Sequence, residues 1–338
     1  MPLSTFEDVL LRLSPPRLLL FFAELDIKAI VSLSKTSSAL HSAYIFYAKQ
    51  TWEPTKHFAS WFEHPAAFRR LLARTNSVIS GSFALQFFDR IYYPTSDMDI
   101  YLRVAGADEV CRWLTRQDYT YVQGNKTYPH VISRDRVHID KAVRNMSSSL
   151  SPLLAVYNFE RKIKLSTSET IVRHVQVIVV DTDPIEHILF DFHSTVVMNF
   201  ITAERAVSIF PRSTFIDRLS YTSKVQEKAL IEKPKWRIKY ERRGFTFRDD
   251  TDSYSAVRNL ICQTSILRSV QDKFSWQIPF PNEQTWNALP PPYGTLKIDY
   301  DFEVLVKDRN VVAKGCCIKV AEPYVWRFVA LIIQRIIY

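Results

Sequence analysis

Apolar positions recur at helical spacing through the first fifty residues: Leu18–Phe22 after Pro15-Pro16, then Leu25, Ile30, Val31, Leu33 and Leu40. The pattern breaks around Asp26, so it predicts two or three short helices. Their outer apolar positions cannot all be buried within so small a segment. Residues 62–73, with Pro65 suited to a first turn, predict a connecting helix. The period then changes. Val78-Ile79 leads into Gly81-Ser82 and an apolar helix-like run (Phe83, Ala84, Leu85, Phe87, Phe88), and Tyr92-Tyr93-Pro94 delivers the chain into Ser96-Asp97-Met98-Asp99-Ile100-Tyr101. Strand alternation places Asp97 and Asp99 on one face and Met98 and Ile100 on the other.

Further on, a helix is expected over 107–117, irregular polar chain over 118–150, and strands at 154–159 and 174–180. Asp183 is a plausible cap and Pro184 a first helical position for a helix carrying Ile188 to Ile201 and ending before Pro211. His187 and His193 would sit on that helix facing different ways, as hydrogen-bonded core or surface histidines. Beyond 212 the pattern predicts a helix near 253–270 and strand-like pieces around 236–248 and 295–320. Trp236, Ile238 and Tyr240 alternate with Arg237, Lys239 and Glu241, which fits a half-buried strand with a solvated basic face. A strand facing phosphate or RNA is the sharper alternative there. Asp249, Asp250 and Asp252 fit a solvated turn.

Composition narrows the class. The chain has 338 residues, 47% of them hydrophobic and 23% charged, which fits a globular protein with a substantial core. The four cysteines (Cys111, Cys262, Cys316, Cys317) lack metal-type spacing and fit reduced thiols, and the eight histidines form no HxxxH or HExxH pattern. No basic, apolar leader is visible, and Phe328–Ile333 is far too short to span a bilayer. An intracellular, cytoplasmic or nuclear protein without a membrane segment is the expectation. The net charge of +9 raises the chance of an acidic partner, nucleic acid included.

Two carboxylates about 7 Å apart along a strand can share a hard divalent cation. A Gly-Ser turn opening a helix presents backbone N–H groups to a phosphate, and glycine permits close approach. Gly81-Ser82 followed by the Asp97-Met98-Asp99 strand resembles the core signature of polymerase-β-type nucleotidyltransferases, densest over 77–101 and looser over 76–210. The resemblance implies an α/β (α+β) fold with a nucleotidyltransferase-type mixed sheet. It also implies a triphosphate held at Gly81 and Ser82, Mg²⁺ held by Asp97 and Asp99, and transfer of a nucleoside monophosphate to an unknown acceptor. That family supplies a third carboxylate from a neighbouring strand, where this chain carries Gln176; Asp140 and Asp181 are fallbacks. An amide binds Mg²⁺ weakly and cannot act as a base, so impaired catalysis is expected.

The N-terminal order is similar to an F-box: a proline-led apolar helix, a Leu25-Asp26 turn, a Leu33-Ser-Lys-Thr-Ser37 helix and a later Trp52. Pro15, Leu18, Leu19, Phe22, Leu25, Ile30, Leu33 and Leu40 fall at positions that family keeps apolar, while Pro16-Arg17 replaces its usual acid. The resemblance implies a non-catalytic adaptor docking a Skp-type ubiquitin-ligase subunit as the alternative function. The reading divides the chain into 1–52 (F-box-like), 53–75 (connecting helix), 76–211 (nucleotidyltransferase-like core) and 212–338 (α+β extension). The whole arrangement is similar to uncharacterised fungal proteins.

Overall fold

A computed structural model describes residues 4–94, 96–123, 126–128, 153–164, 170–222, 233–248, 267–281, 296–306 and 318–320. The first of these stretches opens with short capped helices. Ser4 and Glu7 form a reciprocal capping box for α1 (Thr5–Leu11), and Pro15 and Pro16 begin α2 (Pro15–Ala23). Asp26, the point where the apolar pattern breaks, accepts a bond from the Ala29 N–H at 2.6 Å and so starts α3 (Ile27–Ser34). Ser37 caps α4 (Ser38–Thr51) in the same way.

These helices bury Phe22, Ile27, Ile30, Leu40 and Tyr47 and leave Leu18, Leu19 and Leu33 half-buried. Ile30, one of the F-box-like apolar positions, is 1% exposed. Phe6, Val9, Leu20, Ile45 and Phe46 are exposed. Arg90 ties the unit to the rest of the chain by donating to the carbonyls of Phe22 and Leu25 and to the Tyr47 hydroxyl. Trp52 Nε1 donates to the Phe87 carbonyl at 2.9 Å.

Two helices, α5 (Pro54–Phe58) and α6 (Pro65–Thr75), lead into β1 (Val78–Ser80), α7 (Gly81–Asp89), β2 (Met98–Arg103) and α8 (Val104–Arg116). Strands β3 (Thr120–Gln123), β4 (Lys126–Tyr128), β5 (Leu153–Lys164) and β6 (Thr170–Val180) follow, then α9 (Pro184–Asp191), β7 (Asn199–Ile201), β8 (Arg205–Ser208) and β9 (Leu219–Tyr221). The later elements are α10 (Lys235–Glu241), β10 (Thr246–Arg248), β11 (Leu267–Ser269), β12 (Trp276–Pro279), β13 (Asp301–Val306) and β14 (Ile318–Val320).

Among the described residues a nine-stranded sheet runs β12-β8-β7-β1-β2-β6-β5-β3-β4. Its β2–β6 pair is parallel and its other pairs are antiparallel. This is a mixed α/β architecture, as the alternating patterns predict. Met98, Ile100 and Leu102 are fully buried on one face of β2, and α8 lies on that side, with Gly106 against Leu102. Tyr101, on the Asp99 face, meets His187 and Phe192 at ring-centroid distances of 5.6 Å and 5.4 Å.

Three sequence-based assignments give way. The helix expected from Pro184 to Ile201 ends at Asp191, and Asn199–Ile201 is a central strand between β8 and β1. Thr195–Val197 makes a single 3-10 turn between the two, and Phe200 and Ile201, fully buried in the strand, are residue types that suit a sheet covered on both sides. The expected basic strand at 236–248 is a helix over Lys235–Glu241, with a strand only at Thr246–Arg248. Pro234 precedes that helix and an Arg237–Glu241 pair one turn apart supports it. The stretch 118–150, read as irregular, contains β3 and β4. The strands at 154–159 and 174–180 are longer than expected. The helix expected near 253–270 falls largely on 249–266, outside the described residues; Leu267–Ser269, at its end, is a strand. Asp249, Asp250 and Asp252 also lie outside them. No helix among the described residues is long and apolar enough to cross a membrane.

Candidate functional site

Four strands bring the polar positions into one row. Ser80 of β1 pairs with Asp99 of β2, Asp99 pairs with Gln176 of β6, and Gln176 pairs with Asn158 of β5. Directly opposite residues share a face, so Asp99, Gln176 and Asn158 line up across the sheet. Gln176 Nε2 donates to Asn158 Oδ1 at 2.9 Å.

The turn from β1 into α7 sits against Asp99. Gly81 has φ +65°, and a Cβ built there would lie 2.2 Å from Asp99 Oδ2. Only glycine meets both conditions without strain. The Asp99 carboxyl therefore rests directly over the Gly-Ser backbone. Its pKa is pushed up to about 7, first by desolvation and then by the neighbouring charge of Asp97, with Lys239 acting in the opposite direction. Asp97, half-buried just before β2, is thus close enough to couple to Asp99, and both acids act on Lys239.

Ser82 was expected to hold the triphosphate together with Gly81. It is 2% exposed, because α10 and the turn after it close over it. Ser82 Oγ lies 3.1 Å from the Tyr240 hydroxyl and accepts from Arg243 Nη1 at 3.0 Å. Arg243 Nη2 also donates to Ser96 Oγ at 2.9 Å, and its guanidinium lies 4.0 Å from the Tyr93 ring centroid. Burial, and secondarily Arg243, lower the Lys239 pKa, while Asp99 and Asp97 raise it. The Tyr240 phenol is pushed up to about 12, mainly by burial.

Lys239, Tyr240 and Arg243 were not identified from the sequence as site residues, because their basic run was read with a strand period. A helical reading was available in Trp236/Tyr240, Arg237/Glu241 and Lys239/Arg243, each pair one turn apart. Asn158 carries no signal of its own; only strand register reveals it.

His187 and His193 are accounted for locally. His187 lies on α9 with Nδ1 3.2 Å from an Asp191 carboxylate oxygen. His193, beyond the end of α9, stacks on Trp236 at 3.9 Å and contacts Ser194 Oγ through Nδ1 at 2.7 Å. Burial, with a smaller effect of Lys239, pushes its pKa down to about 3, so it is neutral at physiological pH.

Asp97 also forms part of the wall of a cleft of about 260 Å³ that includes Asn158, Glu160, His174 and Gln176. His174 Nδ1 and Glu160 Oε1 are 3.3 Å apart across the β5–β6 pair. Of the fallback acids, Asp181 is exposed just past the end of β6, five residues from Gln176 and thus about 17 Å along the strand. It cannot act as the third carboxylate. Asp140 lies outside the described residues. Among the described residues, no group of three or more His, Cys, Asp or Glu side chains is arranged to hold a metal ion.

Asp97 and Asp99 nevertheless fit a single divalent cation on chemical grounds. They are two oxygen donors, one of which is driven toward its protonated form by desolvation and by the other's charge. A second ion lacks a matching carboxylate at Gln176. The chain matches no family model, no curated protein and no solved structure with which it was compared.

Proposed function

We propose that this chain binds a metal-bound nucleoside triphosphate at the junction of β1, β2 and α10, with impaired transfer of the nucleoside monophosphate. The observation that carries the reading is the Asp99 carboxyl lying against Gly81, with Asp97 coupled to it and Lys239 beside both.

Asp97 and Asp99 would hold Mg²⁺, which supplies positive charge to phosphate oxygens. Lys239 and Arg243 add cationic donors on the α10 side. Ser82 is already hydrogen-bonded to Arg243 and Tyr240. Its role is therefore to orient the guanidinium, and Arg243 takes over the phosphate contact expected of Ser82. Bidentate geometry suits arginine to that task. The backbone at Gly81 keeps the approach close.

Gln176 accounts for the impairment. Nucleotidyl transfer needs a group to accept the proton of the attacking hydroxyl, and an amide has no basicity for it. Gln176 also contributes no charge toward a second metal ion. Calorimetry with ATP in Mg²⁺ and in Mn²⁺, followed by a radiolabelled nucleoside triphosphate panel, tests the reading. Saturable metal-dependent binding with little transfer is expected. Absence of binding at millimolar nucleotide rejects it.

A second reading, the non-catalytic adaptor, is favoured by the exposed apolar side chains of the N-terminal helices. Phe6, Val9, Leu20, Ile45 and Phe46 are all exposed within the first fifty residues, and exposed apolar patches mark interaction surfaces. Co-elution of the full chain with a purified Skp-type subunit, lost on Leu20→Asp, is the result expected of that reading.

A further inference from the structure

The cleft next to Asp97 lies beside the row of acids and amides. Its polar walls come from Asp97, Asn158, Glu160, His174 and Gln176, with half-buried Val122 as an apolar patch. All five polar side chains are planar groups, and together they offer both donors and acceptors. The Gln176–Asn158 bond uses one Gln176 amide proton and the Asn158 carbonyl. By inventory, among the described residues, the Gln176 carbonyl, its second proton and the Asn158 amide protons remain for a ligand or solvent.

The charge on these walls selects among ligands. No lysine or arginine lines the cleft among the described residues, whereas two carboxylates do. A phosphodiester backbone placed there would meet the carboxylates of Asp97 and Glu160 on walls that hold no lysine or arginine among the described residues. The volume, about 260 Å³, lies just below the range of drug-sized ligand pockets, which start near 300 Å³. That size suits one small ring.

We propose that this cleft binds a hydroxyl-rich small molecule, a sugar or cyclitol, through Asn158, Gln176, Glu160 and Asp97. Its role as the acceptor rests on the nucleotide reading above; its binding does not. As acceptor, a ligand hydroxyl oxygen forms a bond to the α-phosphorus of the nucleoside triphosphate. The bond from that phosphorus to the bridging oxygen breaks, pyrophosphate departs and the hydroxyl proton passes to water.

Saturation-transfer NMR on the full chain, without nucleotide or metal, tests the binding with D-glucose, D-mannose and myo-inositol as probes. Transfer to ring protons of at least one probe is expected, lost in Asn158→Ala and kept in Arg12→Ala at the exposed end of α1. If Asn158→Ala fails to fold by circular dichroism, Glu160→Gln on the same wall decides, with the same loss expected. No transfer to any probe, or transfer unchanged by the deciding variant, overturns the proposal. Transfer to an oligouridylate that Asn158→Ala abolishes, with none to the polyols, also overturns it in favour of RNA. Calorimetry with Mg²⁺-ATP on the same samples keeps the two readings apart. Polyol binding without ATP binding sinks the nucleotide reading alone, and ATP binding without polyol binding sinks this one alone.

Discussion

Gly81 and Asp99 interlock: the space where a side chain on Gly81 would begin is taken by Asp99 Oδ2, 2.2 Å away, and the Gly81 backbone is left-handed at φ +65°. Gly81→Ala must therefore both strain the turn and displace the carboxyl. Strain in that region costs about 1 kcal/mol and the displacement adds to it, so a loss of about 2–4 kcal/mol is expected in urea unfolding. Mg²⁺-ATP binding should be lost as well. A variant as stable as wild type would mean that the carboxyl does not occupy this position.

Stability should carry the signature of Asp99. Its folded pKa of about 7 lies above the ordinary carboxylate value, so from about pH 4 to 7 the folded chain holds a proton that the unfolded chain has released. Its contribution therefore falls as pH rises through that window, and the full penalty is present above pH 7. Asp99→Asn should match wild type near pH 4 and exceed it at pH 8. Solvent screening at this only partly buried side chain keeps the gain to about 1–2 kcal/mol. Paired thermal melts across the range check it, and a constant difference would refute the assignment.

Gln176→Asp restores a carboxylate in register with Asp99. Nucleotidyl transfer in Mg²⁺ or Mn²⁺ should rise at least tenfold over wild type, the scale expected of general acid–base assistance. Asp97→Asn should abolish metal-dependent nucleotide binding. Strong transfer by the unmodified chain would mean that another acid completes the site.

Arg243 bridges Ser82 and Ser96 while lying over Tyr93. Arg243→Ala should weaken ATP binding by about tenfold or more, since charge-assisted hydrogen bonds contribute about 1.5–3 kcal/mol. Arg243→Lys should recover little, because one ammonium cannot reproduce the fork that spans the two serines. Titration calorimetry separates these outcomes, and full recovery by lysine would reduce the role to simple charge.

Arg90 holds the N-terminal helices by bonds to Phe22, Leu25 and Tyr47. Arg90→Ala leaves those buried acceptors unpaired, and a loss of about 2–4 kcal/mol is expected. Limited proteolysis should then cut preferentially near residue 52. Unchanged protection would mean that the Trp52–Phe87 bond and the apolar packing suffice.

The local chemistry of the chain was legible without coordinates. Asp26 and Ser37 cap helices by side-chain bonds only a few residues long, Pro65 and Pro184 start helices, and alternation sets Asp97 and Asp99 apart from Met98 and Ile100. Each depends on neighbours in sequence, so a one-dimensional pattern contains it. Tertiary structure decided the rest. Asn199–Ile201 left the helical path because pairing with β1 and β8 gives Phe200 and Ile201 a place in the middle of the sheet. Lys239 and Arg243 reached the acids through packing between positions more than 130 residues apart in the chain, and Ser82 was buried by that same packing. Asn158 joined Gln176 and Asp99 only through strand register. Register and helix docking depend on which distant surfaces can bury one another, and no local period encodes that.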